Sequence, residues 1–306
     1  MPGSGVSDLE EVACPGCGDD CPVQTRYEQD GMKIQRCSTC SLFYLSPRLT
    51  EAAMESHYRS NTYFEGGDSG YDSYEAQSKS LRMTFRRLLR TLDQRRVRGQ
   101  SCLDVGCGYG YFLQEASPYF AERVGTDYSS GALEKASAYA TEVLHGGLEQ
   151  IEGDRTFDLI TALHVIEHVY DPRAFVGKMY DHLKPGGTLL LAAPHMGSFW
   201  RFVLGHKWPS FKYPEHVSYF GKATMKRLIG TTGGVDIKSF PYPHAFPLDL
   251  VLSKLKIPAS RWMENKAVWL PATTVAMTIK KPETPQATRE HPESNWLREQ
   301  GHRVAA

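Results

Sequence analysis

Four cysteines near the start of the chain are spaced as metal ligands. They form two C-x-x-C pairs with 19 residues between them, Cys14 with Cys17 and Cys37 with Cys40. Each pair can offer two thiolates to a tetrahedral ion, and the spacer falls within the range of four-thiolate zinc sites. Four thiolates leave no open coordination position, so the sequence predicts a structural Zn²⁺ rather than a catalytic one.

Other uses of the cysteines remain open. A redox pair would need a C-x-x-C on a helix of a thioredoxin-like unit, and neither flank predicts such a helix. Disulfides would need an oxidising compartment. A fifth thiol, Cys21, could compete as a ligand, whereas Cys102 and Cys107 have the character of small core residues.

A glycine-rich loop lies further along the chain. Its residues are Leu103-Asp104-Val105-Gly106-Cys107-Gly108-Tyr109-Gly110. Three alternate glycines can adopt positive φ and let a ligand lie against the main chain, and Asp104 adds a carboxylate at the edge of the predicted strand. A dinucleotide loop would need glycine in place of Tyr111, and a P-loop would need Gly-Lys-Ser/Thr. An acid in the loop also suits a cationic ligand better than a pyrophosphate.

The loop resembles motif I of the class I S-adenosylmethionine (SAM) methyltransferases. Later segments resemble the following elements of that family in order: the strand 122–126 ending in Asp127, then 143–148, 157–164 and 183–191. The resemblance covers residues 99–281. It implies a doubly wound, Rossmann-like α/β fold with a seven-stranded sheet, and SAM as the cofactor.

The same resemblance implies a set of SAM contacts. The carboxylate of Asp127 would accept both ribose hydroxyls, and the segment 143–148 would lie on the adenine side. Residues 63–67, aromatic and glycine-rich, are expected to form either a lid over SAM or a packed surface loop. The expected contacts are Asp104, Gly106, Gly108, Gly110, Asp127, Tyr128, Leu148, Leu163, His164 and Tyr63.

A histidine-rich pentad, His164-Val165-Ile166-Glu167-His168, follows the segment 157–164. It resembles the E-x-x-E-H loop with which some O-methyltransferases of the ubiquinone pathway hold a divalent metal, with His164 in place of the first acid. Imidazoles and a carboxylate can ligate zinc or iron. A second metal on this loop is therefore one alternative, and His168 as a substrate-pocket or structural histidine is the other.

An aromatic insert, residues 199–220, is expected between the fifth and sixth strands, above the position of the transferred methyl group. Its many aromatic residues predict the walls of a cleft or a short amphipathic cap. Pro214-Glu215-His216 recurs in a group of small-molecule methyltransferases that the chain resembles. We expect His216 to face the acceptor as a general base, with His168 as the second candidate, because an imidazole titrates near neutrality.

Local patterns predict the remaining elements. A hairpin is expected from 24–27 and 32–36 about Asp30-Gly31, and a helix from Thr50 to Tyr58. Further predicted elements are helices over 78–98, 131–140, 172–183 and 246–255, and two antiparallel strands over 235–240 and 273–279. Arginines crowd one face of the helix 78–98, which favours a solvated face over a grip on RNA or an anionic substrate.

These patterns divide the chain into four parts. Residues 10–46 resemble the zinc ribbon at the start of one group of small-molecule methyltransferases, and are expected to buttress the catalytic domain. Residues 47–98 form a helical lid or linker. Residues 99–281 form the SAM-binding domain, with a substrate cap over 195–225, and 282–306 are expected to be a disordered tail.

Composition narrows the function. The 306 residues carry equal numbers of basic and acidic side chains, which disfavours nucleic acid as a partner. Neither a secretory signal nor a membrane-length apolar run is visible, so a cytoplasmic protein without a membrane partner is expected. The sequence favours methyl transfer to a small molecule such as a sugar or polyketide. The alternative functions are RNA or protein methylation and a non-catalytic SAM-binding scaffold. Separately, the helix over 246–255 is expected to form part of the pocket or a dimer contact, so a homodimer is also open.

Overall fold

The computed structural model of the chain describes residues 8–20, 23–60, 74–242, 244–254 and 266–284. Tyr63 with the expected lid, Cys21 and all but three residues of the expected tail lie outside these ranges. The strands are β1 (Leu9–Glu10), β2 (Val23–Gln29), β3 (Met32–Cys37), β4 (Phe43–Leu45), β5 (Arg48–Leu49), β6 (Ser101–Val105), β7 (Glu122–Asp127), β8 (Glu142–His145), β9 (Phe157–Leu163), β10 (Leu183–Pro194), β11 (Ser218–Tyr219), β12 (Val235–Ser239), β13 (His244–Pro247), β14 (Ala267–Leu270) and β15 (Thr274–Lys280). The helices are α1 (Glu51–Ser60), α2 (Ser78–Gln94), α3 (Tyr111–Ala116), α4 (Ser130–Ala136), α5 (Pro172–Asp181), α6 (Phe199–Leu204), α7 (Lys222–Gly230) and α8 (Leu248–Lys254).

A seven-stranded sheet forms the centre of the molecule and confirms the predicted α/β fold. Its strand order is β12-β15-β10-β9-β6-β7-β8. Strand β15 is antiparallel to both of its neighbours, and the other pairs are parallel. All five residues of β6 are buried, as expected for a strand covered on both faces. The predicted antiparallel pair at the end of the chain is also confirmed, since it corresponds to β12 and β15.

Helix α2 confirms the predicted apolar face, with Phe85, Leu88, Leu89 and Leu92 buried. It ends four residues before the predicted end, because Arg96 takes a positive φ of 60° and turns the chain. Helix α4 likewise ends at Ala136 rather than at the predicted residue 140, because the chain turns back there to enter β8.

The predicted helix over 246–255 is partly wrong. Residues up to Pro247 belong to β13, which pairs antiparallel with β14, and the helix α8 begins at Leu248. A local pattern could not show this, because the strand partner lies about twenty residues further along the chain. Pro247 suits the boundary between strand and helix, because proline fixes φ at a value compatible with the first turn of a helix.

The N-terminal ribbon contains the predicted hairpin. Strands β2 and β3 are joined by Asp30 and Gly31, whose φ values of 52° and 79° fit a two-residue type I′ turn. Helix α1 follows and confirms the predicted helix, and the Thr50 hydroxyl caps it by accepting a hydrogen bond from Ala53 N at 3.3 Å.

The insert completes the sheet of the ribbon. Strand β11 pairs with β4, with Ser218 opposite Tyr44, so that the sheet order is β11-β4-β3-β2. A shared core fills the space behind this sheet: Met32, Ile34 and Leu45 from the ribbon, and Met196, Trp208 and Tyr219 from the insert. The predicted domain limits stay predictions, and the two segments pack as one unit.

No helix in the described parts of the chain is long and apolar enough to cross a membrane.

Candidate functional site

The glycine loop lies where the strand order reverses. Strand β6 has β7 on one side and β9 on the other, which is the position at which open α/β sheets bind ligands beyond the carboxyl ends of their strands. Gly106, Gly108 and Gly110 have φ values of 70°, 53° and 74°. A Cβ at Gly106 would lie 2.5 Å from Val165 Cγ2, and one at Gly110 would lie 2.9 Å from the main chain of Ala136. The loop therefore needs glycine both for its conformation and for its packing, and it leaves main-chain surface for the expected SAM.

Asp127 holds the glycine loop in place. One carboxylate oxygen accepts a hydrogen bond from Gly108 N and the other accepts one from Ser129 N, both at 2.9 Å. Burial raises the pKa of Asp127, and these two bonds partly oppose the shift. The expected role toward the ribose remains a proposal, and the structure adds that the same carboxylate orders the loop.

We expect Asp127→Ala to weaken SAM binding by about tenfold to a hundredfold, the size of one or two lost hydrogen bonds to a charged group. The loss would have two causes: the ribose would lack its expected acceptor, and the glycine loop would lose the hydrogen bond from Gly108 N to Asp127. Isothermal titration of the ligand-free protein with SAM measures the effect. The control is Asp154→Ala, an exposed acid in the turn before β9, and equal affinities of the two variants would contradict the expectation.

Asp104 turns its side chain into the sheet. It is 4% exposed, and Thr161 Oγ1 donates to its Oδ1 at 2.6 Å. Burial raises the pKa of Asp104 to about 7, although the bond from Thr161 opposes the shift. A nearby positive charge, such as the one that SAM carries, would favour the ionised form.

Asp104→Asn should reveal a pH dependence of stability. Between the pKa of an unfolded aspartate, about 4, and the folded value of about 7, the folded chain holds the extra proton. The free energy of unfolding therefore falls as pH rises, by up to about 1.4 kcal/mol per pH unit. Relative to the wild type, the variant should gain about 2 kcal/mol between pH 5 and pH 7 in denaturant titrations of the ligand-free protein.

A matched control for this experiment is Asp158→Asn. Burial would raise the pKa of Asp158, but Lys184 and other partners hold it below its usual range. Its contribution to stability is complete above the unfolded pKa, so this variant should show no trend between pH 5 and pH 7. A flat difference for Asp104→Asn as well would contradict the assigned titration.

The other expected SAM contacts lie along the same edge of the sheet. Leu148 is buried in a short 3-10 helix, Leu148–Gln150, after β8. Tyr128 follows Asp127, is 72% exposed, and donates its hydroxyl to Glu149 at 3.1 Å. Leu163 ends β9 and is partly buried. Their roles toward the cofactor stay proposals.

His164 begins a strained loop beside the glycines. Its φ is 62°, a conformation that costs a non-glycine residue free energy and that often marks a functional site. Its Nδ1 lies 3.4 Å from Glu167 Oε1. Tyr242 and His244 contact its ring, with centroid distances of 5.7 and 5.6 Å. Sequence reasoning missed these two neighbours, although an aromatic residue between prolines at 241 and 243 was a usable signal.

The two candidate bases, His168 and His216, lie next to each other. Their ring centroids are 4.7 Å apart and the rings meet edge to face. His216 is 3% exposed, and its Nδ1 lies 2.9 Å from the carbonyl oxygen of Ser210. That contact requires Nδ1–H as the donor, so the lone pair of the neutral ring is on Nε2. Burial, followed by His168 and Lys212, lowers the pKa of His216, and burial lowers that of His168.

Two charged residues near this histidine pair, Glu215 and Lys212, were not predicted as site residues. Glu215 is 1% exposed, and neither of its carboxylate oxygens has a hydrogen bond among the described residues. His57 Nε2 lies 3.8 Å from one of them. Burial lowers the pKa of Lys212 to about 8, while Glu215 and Glu167 act in the opposite sense. The segment Pro214-Glu215-His216, from which His216 was predicted, could also have pointed to Glu215.

The residues that could hold a second metal differ from those expected. Glu167, His168 and His216 each place one ligand atom within 4.8 Å of the other two, and His164 is not in this group. Lys212 lies beside both buried carboxylates and supplies positive charge there. That ammonium reduces the need for a metal ion to compensate them.

The four ribbon cysteines form the cluster that zinc requires. Sulfur atoms of Cys14 and Cys40 are 3.4 Å apart, those of Cys17 and Cys37 are 3.7 Å apart, and all four lie within 4.8 Å of one another. Tetrahedral zinc, with bonds of about 2.3 Å, places sulfur ligands at similar separations. The donor set therefore fits a structural Zn²⁺ held by four thiolates.

Comparisons with known proteins agree with this arrangement. A family model described as a methyltransferase domain matches residues 75–235, slightly more than half of the chain. The chain is 36% identical over 103 residues to the mitochondrial ubiquinone biosynthesis O-methyltransferase of Schizosaccharomyces pombe, covering 31% of this chain and 38% of that protein. It is 28% identical to a probable SAM-dependent methyltransferase of Mycolicibacterium smegmatis, covering 45% and 53%. The chain thus spans about half or less of the length of these relatives.

Two solved structures share the fold. A SAM-dependent methyltransferase of Thermotoga maritima, described as a possible histamine N-methyltransferase, has a TM-score of 0.50 at 19% identity, covering 68% of this chain and 94% of that one. A SAM-dependent methyltransferase of Archaeoglobus fulgidus has a TM-score of 0.50 at 18% identity, covering 68% and 99%. At these identities the likeness concerns the fold alone.

Proposed function

The chain belongs to the methyltransferase-domain family, and from that premise we propose that it transfers the methyl group of SAM to a small-molecule acceptor. The observation that carries this proposal is the pinned His168–His216 pair close to the glycine loop. Val165 lies two residues after Leu163, the end of β9, and its side chain packs against Gly106. The loop that ends in His168 therefore packs directly on the expected cofactor seat.

Each group has a defined part in the proposed reaction. When bound, SAM supplies an electrophilic methyl carbon beside a sulfonium sulfur. The glycine loop and Asp127 hold the cofactor, and the buried walls exclude water from the acceptor, which lowers the barrier by positioning. His216 accepts the proton of an acceptor hydroxyl or acidic carbon at Nε2, because Nδ1–H is committed to Ser210. His168 meets the ring of His216 edge to face and fixes its orientation.

A small acceptor suits the enclosed site better than a macromolecule. His216 and Glu215 are at most 3% exposed, and the insert that carries them packs onto the ribbon. The overall charge is zero, which disfavours a nucleic-acid substrate. Relatives named as ubiquinone biosynthesis O-methyltransferases support a small acceptor and a hydroxyl as the receiving group. The ribbon, with its proposed Zn²⁺, would then be structural.

The test is to incubate the purified protein with methyl-labelled SAM and fractionated cell extract. We expect label in the small-molecule fraction, from which the acceptor can be identified. Asp127→Ala, which weakens cofactor binding, should lower that label in parallel. Label in RNA or protein would contradict the proposal, and SAM binding with no label in any fraction would favour a non-catalytic scaffold.

A further inference from the structure

Helix α6 leaves an apolar patch uncovered. Phe199 and Phe202 are each 68% exposed, Val203 is 60% exposed and Leu204 is 37% exposed. Single exposed apolar residues are ordinary, but four within six consecutive residues form a patch, and such patches mark contact surfaces. The other aromatic residues of the insert behave differently, since Trp208 and Tyr219 are buried against the ribbon.

The sequence segment that contains α6 carries basic residues and no acidic ones. Between Asp181 and Glu215 the sequence contains neither aspartate nor glutamate, while Arg201, His206 and Lys207 lie in α6 or directly after it. His206 and Lys207 are exposed. Because the whole chain is neutral, this is a local excess of positive charge, and it complements an anionic surface.

A basic groove adjoins the patch. It has a volume of about 640 Å³, and its lining includes Arg86, Arg87 and Arg90 of α2 and Trp269 of β14. Arg86 is paired with Glu115 at 2.8 Å, so the net positive charge of the groove comes from Arg87 and Arg90. Trp200 of α6 donates Nε1–H to the carbonyl oxygen of Pro271 at 2.8 Å. One residue, Leu270, separates Pro271 from Trp269, so their Cα atoms are at most about 7 Å apart and the groove and the helix lie side by side.

We propose that the patch on α6 and the adjoining arginine groove bind the surface of an anionic lipid membrane. Phenylalanines flanking a tryptophan, with basic residues and no acid in the sequence segment 182–214, are the composition of helices that lie at the boundary of headgroups and acyl chains. Phe199 and Phe202 enter that boundary, while Arg201 and Lys207 meet the headgroups. A second copy of the chain is a poorer occupant, because it would bring like charges together.

Membrane binding by this surface is compatible with the sequence features from which no membrane partner was expected. That expectation used the lack of a secretory signal and of a membrane-length apolar run, whereas peripheral binding depends on a local patch of charge and apolar area. The inference is also independent of the proposed function, since lipid binding can be measured without any methyl acceptor.

The test is cosedimentation of the full chain with phosphatidylcholine vesicles, with and without phosphatidylglycerol. We expect binding to the anionic vesicles, weakened by salt, and a loss of at least about tenfold for the double variant Phe199→Ser/Phe202→Ser. The matched control is Val23→Ser/Val235→Ser, two valines that are each 37% exposed elsewhere, and it should bind as the wild type does. SAM affinity and thermal midpoint of each variant verify folding.

Two outcomes would overturn the proposal. Anionic vesicles that fail to sediment the wild type, or that sediment the phenylalanine double variant equally well, remove the lipid surface as the occupant. Self-association of the wild type that the double variant abolishes, in the absence of vesicle binding, would instead assign the patch to a second copy of the chain.

Discussion

His216→Ala is expected to slow methyl transfer by about 10²- to 10⁴-fold, the usual contribution of a positioned general base. Nδ1–H of this ring is held by Ser210 O at 2.9 Å, and its Nε2 is therefore the group that can accept a proton. SAM affinity should change little, because the glycine loop and Asp127 are held by contacts of their own. The rate of label transfer to the purified acceptor, measured at saturating SAM, gives the effect.

The control for this variant is His182→Ala. His182 also places Nδ1 at 2.9 Å from a backbone carbonyl, that of Arg155, but it directly precedes β10, at the opposite end of the parallel strands from the glycine loop. It should retain wild-type transfer. His168→Ala should give a smaller loss than His216→Ala if it only orients the base, and equal losses for all three histidines would indicate a general effect on folding.

Cys37→Ser is expected to abolish binding of the structural metal and to disable acceptor methylation while sparing SAM binding. Structural zinc provides an apparent binding free energy of about 10–16 kcal/mol to small domains, so losing one thiolate should unfold much of the ribbon. Two backbone hydrogen bonds connect the ribbon to the site: Leu45 N donates to Val217 O at 3.0 Å, and Val217 N donates to Glu167 O at 2.8 Å. Without β4, the segment that carries His216 loses its partner strand.

Three measurements on this variant separate the effects. Metal analysis should fall from one zinc ion per chain to none, transfer to the acceptor should fall at least about tenfold, and SAM affinity should remain within about twofold, since the ribbon makes no expected cofactor contact. Cys102→Ala removes a buried thiol outside the cluster and should keep the metal. Full transfer activity in a metal-free Cys37 variant would show that the ribbon does not support the acceptor side.

Local sequence patterns predicted the central sheet well, for identifiable reasons. The strand β6 and its glycine loop carry their information within eight consecutive residues, and the hairpin turn at Asp30 and Gly31 carries it in two. The two C-x-x-C pairs identified the cluster of four cysteines because ligand spacing is a local property. The apolar face of α2 followed from residues three and four apart.

Long-range pairings account for the features that local patterns missed. Strand β11 is only two residues long and exists because β4 is available beside it, and β13 depends on β14 in the same way. His168 and His216 were each predicted, but their edge-to-face contact was not, because it depends on how the insert folds back over the loop after β9. Tyr242 and His244 became site neighbours through the same packing.

The pairing of Tyr44 with Ser218 also constrains the order in which the chain can fold during synthesis. The ribbon is made first, yet the edge of β4 has no partner until residue 219 has left the ribosome. Closing a loop of that length is slow compared with forming the hairpin β2–β3, and an unpaired strand edge invites intermolecular pairing. The edge of β4 therefore stays unpaired while residues 46–217 are synthesised, and over that interval it is a site at which another chain can pair.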